Sequence, residues 1–100
     1  MDFSFDNRRD LLAISIQGRL DTVSAQNFMT SLEKEMGEDV SNVEIDASGL
    51  EYISSSGLRC LMTIYKQAVR NGGTLTLKGL TPQVKEVLDI TGMTELFDIR

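Results

Sequence analysis

The chain contains no histidine and no tryptophan, a single cysteine and a single proline. Zinc sites are built from cysteine and histidine ligands, so this sequence excludes such a site, and one thiol cannot form an internal disulfide. We therefore expect neither a metal nor a cofactor. The lone thiol, Cys60, fits a reducing, cytoplasmic setting.

Long apolar runs are also missing. No stretch approaches the roughly 18 uncharged apolar residues of a membrane span, and residues 1–6 show neither the basic nor the apolar segment of a signal peptide. Ten basic and fifteen acidic residues give a net charge of -5, which repels phosphate backbones and anionic lipid. We expect neither a nucleic-acid partner nor membrane insertion.

The polarity pattern predicts one domain spanning residues 1–100. Alternating polarity predicts strands, and apolar residues spaced by three or four predict helices. Asp21 and the pair Thr81-Pro82 stand where helix starts are expected, and Gly37 can end a helix in a left-handed conformation. The predicted strands cover 3–5, 12–16, 43–47 and 74–78, and the predicted helices cover 22–36, 55–69 and 82–91, before a tail with one turn and an edge strand.

This order predicts an α/β fold with a mixed, mostly parallel sheet of four to five strands that begins with a hairpin. Glu44 and Asp46 on one strand, and Thr74, Thr76 and Lys78 on another, leave one sheet face polar. We therefore expect the helices mainly on the other face.

The stretch from Asp46 to Arg59 joins the clearest strand to the clearest helix. Three serines, Ser54, Ser55 and Ser56, precede Gly57 at the predicted helix start. A serine there commonly caps the first backbone amides, which explains one hydroxyl and leaves two. A helix N-terminus also favours a phosphate by about 0.3–1 kcal/mol. Capping and phosphate acceptance both remain open on the residues alone.

An enzyme is disfavoured by the same sequence. A serine nucleophile needs a base within hydrogen-bond reach, but histidine is absent and no Ser-x-x-Lys pair occurs. Gly72-Gly73 lacks the spacing and the lysine of a phosphate-binding loop and predicts a turn. We expect no catalytic residues.

Three segments carry a resemblance to a known family: Gly18-Arg19-Leu20-Asp21, the stretch Asp46 to Arg59, and Thr81-Pro82-Gln83-Val84 leading to Ile90-Thr91-Gly92-Met93. Over the whole chain, the sequence resembles the STAS domain family, specifically the small free-standing bacterial anti-sigma-factor antagonists. Family members read Asp-Ser-Ser/Thr-Gly-Leu at the helix start. This sequence departs from that pattern at Ser54, where the family has aspartate.

The resemblance implies partner switching. The unmodified domain would bind an anti-sigma factor that is also a serine kinase and so free a sigma factor. Phosphorylation of Ser55, or alternatively Ser56, would release the complex, and a serine phosphatase would restore it. The alternative function is a STAS scaffold subunit that regulates a transporter or a larger signalling assembly without phosphorylation.

A helical projection gives an expected partner surface. At 100° per residue, Leu58, Leu61, Met62, Tyr65 and Val69 share the arc expected to face the sheet. Cys60 and Ile64 fall outside that arc and are expected to be partly exposed. The expected partner-binding residues are Asp21, Ser54, Ser55, Ser56, Gly57, Arg59, Cys60 and Thr63. The alternative role for Asp21 is that of a helix cap alone.

Overall fold

The computed structural model describes residues 1–37 and 39–100. Within them the strands are β1 (Asp2–Arg8), β2 (Leu11–Leu20), β3 (Val43–Ile53), β4 (Leu75–Lys78) and β5 (Asp98–Ile99). The helices are α1 (Thr22–Glu35), α2 (Ser55–Arg70) and α3 (Pro82–Thr91), followed by a short 3-10 helix, Met93–Glu95. None of the described helices combines the length and the apolar character needed to cross a bilayer.

The five strands form one sheet in the order of the chain, β1-β2-β3-β4-β5. The first two strands pair antiparallel, and every later neighbour pairs parallel. Each parallel crossover advances in the same direction, so right-handed connections place the helices on one face. The predicted mixed, mostly parallel sheet with helices mainly on one face is confirmed.

The two faces of the sheet differ as the polarity of β3 predicts. Val43, Ile45 and Ala47 point into the core and are at most 2% exposed. On the opposite face, Glu44 forms an ion pair of 3.0 Å with Lys78 of β4. The helix side therefore holds the apolar core, and the other face is left polar.

Several predicted helix ends are confirmed. Asp21 caps α1, Thr81 caps α3 with Pro82 at its first turn, and Gly92 ends α3 with φ 78°. The prediction for Gly37 is wrong, since this residue has no positive φ. The chain leaves α1 instead at Met36, whose backbone is extended and whose side chain is buried, so no left-handed turn is needed.

Strand β3 extends beyond the predicted residues 43–47 to Ile53. It remains paired with β2 as far as Leu20 and Ile53, and β3 contributes an extra residue at each of two register shifts, opposite Ser15–Gln17 and opposite Gly18–Arg19. These irregularities interrupt strict alternation. The period-two pattern therefore stops before the strand does, and one residue, Ser54, separates β3 from α2.

Candidate functional site

Strands β2 and β3 end side by side, and Ser54 ties their ends together. Its backbone N–H and its hydroxyl each donate a hydrogen bond of 2.9 Å to the carbonyl of Leu20. Leu20 immediately precedes Asp21, which begins α1. The starts of α1 and α2 therefore lie at the same sheet edge, as expected for consecutive parallel strands.

Ser54 is also the cap of α2. Its Oγ accepts a hydrogen bond of 3.1 Å from the N–H of Gly57, and its carbonyl accepts one of 2.9 Å from the N–H of Leu58. Aspartate caps a helix as well as serine does, but an ionised carboxylate could not donate to Leu20. Serine at this position thus performs the capping and also adds a bond to β2.

The side chains of the next two serines, Ser55 and Ser56, do not make capping or strand contacts of this kind. Ser55 is the first residue of α2 and is exposed, whereas Ser56 is half-buried. Neither hydroxyl has a hydrogen-bond partner within residues 1–37 and 39–100. No acidic side chain occurs in the first turn of α2, so the positive end of the helix dipole is not neutralised locally. An anion on Ser55 would meet a favourable field.

Gly57 allows the start of α2 to approach the sheet closely. A Cβ at this position would lie 2.7 Å from Cγ1 of Ile53 and 2.9 Å from Cγ of Leu20. Both neighbours are core side chains, at most 4% exposed. Gly57 is itself buried, so it positions the helix and offers no surface to a partner.

Asp21 precedes α1, and its side chain caps the N-terminus of this helix. Its Oδ1 accepts a hydrogen bond of 2.9 Å from the N–H of Ser24. Bonds from the backbone and hydroxyl of Ser24 lower the pKa of the Asp21 carboxyl, and Arg19 lowers it further. The capping role is confirmed, and a separate role in partner binding stays a prediction.

A groove of about 430 Å³ lies between α1 and α2. Its α2 side carries Ser56, Arg59 and Thr63, and its α1 side includes Thr22 and Gln26. The α1 wall was not predicted, because polar residues outside the apolar stripe of α1 carry no signal of a neighbouring helix. Four of the expected partner residues line this groove, namely Ser56, Arg59, Cys60 and Thr63. Ser54 and Ser55 directly precede Ser56 in the chain.

The prediction that Cys60 and Ile64 are exposed is wrong. They are 4% and 0% exposed, whereas Val69, expected to face the sheet, is 49% exposed. The reason is that α2 packs against both the sheet and α1, with Cys60 Sγ 3.6 Å from the carbonyl of Ala25. Burial raises the pKa of the Cys60 thiol. Cys60 is therefore a core residue at the base of the groove and cannot be part of an exposed docking face.

The fold and this site define a small α/β domain that presents an exposed serine hydroxyl at a helix N-terminus beside an interhelical groove. The STAS domain family matches residues 3–100. The chain therefore belongs to the STAS domain family.

Several curated relatives of the chain are named as anti-sigma factor antagonists. BtrV of Bordetella bronchiseptica, named as a candidate anti-sigma factor antagonist, is 30% identical over 99% of this chain and 85% of its own length. The anti-sigma-B factor antagonist of Bacillus subtilis is 28% identical over 93% of this chain and 84% of its own length. The family relationship thus extends to proteins named as anti-sigma factor antagonists.

Solved structures show the same fold. A candidate anti-sigma factor antagonist from Thermotoga maritima superposes with a TM-score of 0.88 at 21% identity, covering 97% of this chain and 84% of that one. The Bacillus antagonist SpoIIAA in its phosphorylated form gives 0.74 at 15% identity, covering 99% and 91%. At these identities the likeness concerns the fold.

Proposed function

We propose that the chain is a cytoplasmic anti-sigma factor antagonist that acts by partner switching. In the unphosphorylated state it binds an anti-sigma factor that is also a serine kinase, and a sigma factor is freed. Phosphorylation of Ser55 releases the complex, and a serine phosphatase restores it. The observation that carries this proposal is the exposed hydroxyl of Ser55 at the start of α2, which has no hydrogen-bond partner among the residues that the structure describes.

The three adjacent serines differ in their fitness as phosphoacceptors. The hydroxyl of Ser54 already accepts one hydrogen bond and donates another, both within partly buried surroundings. Modification there would remove the cap of α2. Ser56 is half-buried in the groove wall. Only the hydroxyl of Ser55 combines exposure with the absence of a partner in the described part of the chain.

A phosphate on Ser55 should act on binding and spare the fold. It adds about 1.5 to 2 negative charges, and a helix N-terminus favours such a charge by about 0.3–1 kcal/mol. The same charge left unpaired in a desolvated interface costs roughly 2–5 kcal/mol, which is about 30-fold to several thousand-fold in affinity. One modification can therefore release a partner from a domain that stays folded.

The docking face that we propose combines residues of two helices. Ser55, Ser56, Arg59 and Thr63 come from α2, and the groove adds the α1 wall with Thr22 and Gln26. Cys60 contributes the buried floor. The proposal gives this surface a binding role and assigns no catalytic step to the chain.

An affinity pull-down from the native cell tests the proposal with three baits: wild type, Ser55→Asp and Ser55→Asn. The two variants have nearly the same size and differ in charge, so their comparison isolates the effect of charge. We expect wild type and Ser55→Asn to retain one anti-sigma factor that Ser55→Asp loses. If all three baits instead retain the same transporter subunit, the scaffold function replaces this proposal.

A further inference from the structure

Arg19 and Tyr52 form a stack on the open face of the sheet, at the sheet edge where α1 and α2 begin. They are cross-strand partners on β2 and β3, and the Arg19 guanidinium carbon lies 4.2 Å from the centre of the Tyr52 ring. Arg19 is exposed, and Tyr52 is 40% exposed. Of the four ion pairs in the described part of the chain, none includes Arg19.

The stack lies at the edge of the sheet that carries the serines. The next register pair is Leu20 with Ile53, and Leu20 accepts the two hydrogen bonds of Ser54. Tyr52 lies two residue steps before Ser54, with Ile53 between them, which corresponds to about 7 Å along the strand. A standard interface covers about 800 Å² on each partner, a patch of roughly 16 Å radius. A protein centred on Ser55 whose contact continues over this sheet edge onto the open face would therefore reach the Arg19–Tyr52 stack.

The chemistry of the stack suits one kind of contact. A guanidinium is a planar fork that binds a carboxylate through two parallel hydrogen bonds. Stacking on Tyr52 holds the Arg19 side chain in place, so less conformational entropy is lost when a partner binds. Arginine and tyrosine are also the side chains that most often dominate interface energies.

We propose that Arg19, held by Tyr52, is a specificity-determining residue that binds an aspartate or glutamate side chain of the anti-sigma factor. The inference rests on the proposed function, because it takes the protein that docks at Ser55 as the owner of that carboxylate. It extends the interface from the α1–α2 groove over the sheet edge to the open face.

The test measures the affinity of purified variants for the purified anti-sigma factor that wild type retains and Ser55→Asp loses in the pull-down. Arg19→Glu reverses the charge, Arg19→Lys keeps the charge without the planar fork, and Tyr52→Leu removes the ring. Arg9→Glu is the matched control, since Arg9 is an exposed arginine in the β1–β2 turn at the opposite sheet edge and belongs to none of the four ion pairs.

We expect Arg19→Glu to weaken binding at least tenfold and to reduce its salt dependence. Arg19→Lys and Tyr52→Leu should lose severalfold, and Arg9→Glu should bind within twofold of wild type. An aspartate or glutamate to arginine exchange on the anti-sigma factor should restore binding to Arg19→Glu. Melting temperatures confirm that each variant is folded.

Three outcomes would overturn the inference. Wild-type affinity in Arg19→Glu would show that no carboxylate contacts Arg19. Unchanged binding together with altered stability of the phosphorylated form would instead assign Arg19 to the phosphate on Ser55. Failure of wild type to bind any anti-sigma factor would refute the proposed function, and this inference with it.

Discussion

Alanine substitutions at two adjacent serines, Ser54 and Ser55, should differ in their effect on the free energy of unfolding. Ser54→Ala removes the cap on the Gly57 N–H and the hydroxyl bond to Leu20, while the backbone N–H at position 54 still satisfies that carbonyl. Loss of a helix cap costs about 0.5–2 kcal/mol, and the upper half of this range applies because Gly57 is buried. We therefore expect Ser54→Ala to lose about 1–2 kcal/mol.

Ser55→Ala removes an exposed hydroxyl without a partner in the described chain, so its stability should stay within about 0.5 kcal/mol of wild type. Urea unfolding of both variants measures the two free energies of unfolding. For a domain of this size, about 1 kcal/mol corresponds to a shift of roughly 4–8 °C in Tm. Equal stabilities of the two variants, or a larger loss in Ser55→Ala, would refute the assignment of the cap to Ser54.

Three further predictions concern the surroundings of the site. Gly57→Ala should gain about 1 kcal/mol of helix propensity but lose roughly 1–3 kcal/mol to overpacking against Ile53 and Leu20. An Ile53→Ala background should make this loss smaller in urea unfolding, because it removes one of the two clashes. The pKa of the Asp21 carboxyl, followed by NMR, should lie below its ordinary value of 3.8. The contribution of this carboxyl to stability is complete above the unfolded pKa and is lost as the pH falls through the lower folded pKa. A folded pKa above 3.8 would contradict the capping role. Cys60→Glu should lower the free energy of unfolding by more than about 3 kcal/mol because it buries a charge. The control Thr63→Glu, on the exposed side of α2, should remain folded. A stable Cys60→Glu would contradict the observed burial of Cys60.

The sequence predicts those parts of the fold that depend on local chemistry. Asp21 and Thr81 are caps whose side chains bond amides three residues ahead, and Gly92 supplies a left-handed helix end. Such features involve only neighbouring residues, so they can be recognised before tertiary contacts are known. The end of α1 could not be predicted this way, because burial of Met36 decides the path of the chain.

The orientation of α2 depends on tertiary packing. Its long apolar side chains indicate one stripe, but the buried residues are Gly57, Cys60, Leu61, Ile64 and Ala68, of which only Leu61 belongs to that stripe. At 100° per residue their centre lies about 100° from the predicted one. The sequence signal for the buried side of α2 was the recurrence of small residues at three- and four-residue steps. A helix that packs on both a sheet and a second helix buries more than one stripe, so the stripe of long apolar residues did not indicate its full buried surface.

The role of the three serines could be predicted only in part. The residues alone allowed any of them to cap α2, and the structure gives that role to Ser54 through its bonds to Gly57 and Leu20. That choice depends on the carbonyl of Leu20, which is 34 residues away in the chain. It leaves Ser55 as the exposed hydroxyl beside the cap.

The most direct test of the central claim maps the phosphate. Wild type, Ser54→Ala and Ser55→Ala are incubated with ATP and the purified anti-sigma factor kinase, and the modified residue is located by tandem mass spectrometry. We expect a single phosphate on Ser55 in wild type and in Ser54→Ala, and none in Ser55→Ala. A phosphate on Ser54 or Ser56 in wild type, or no phosphate at all, would contradict the account.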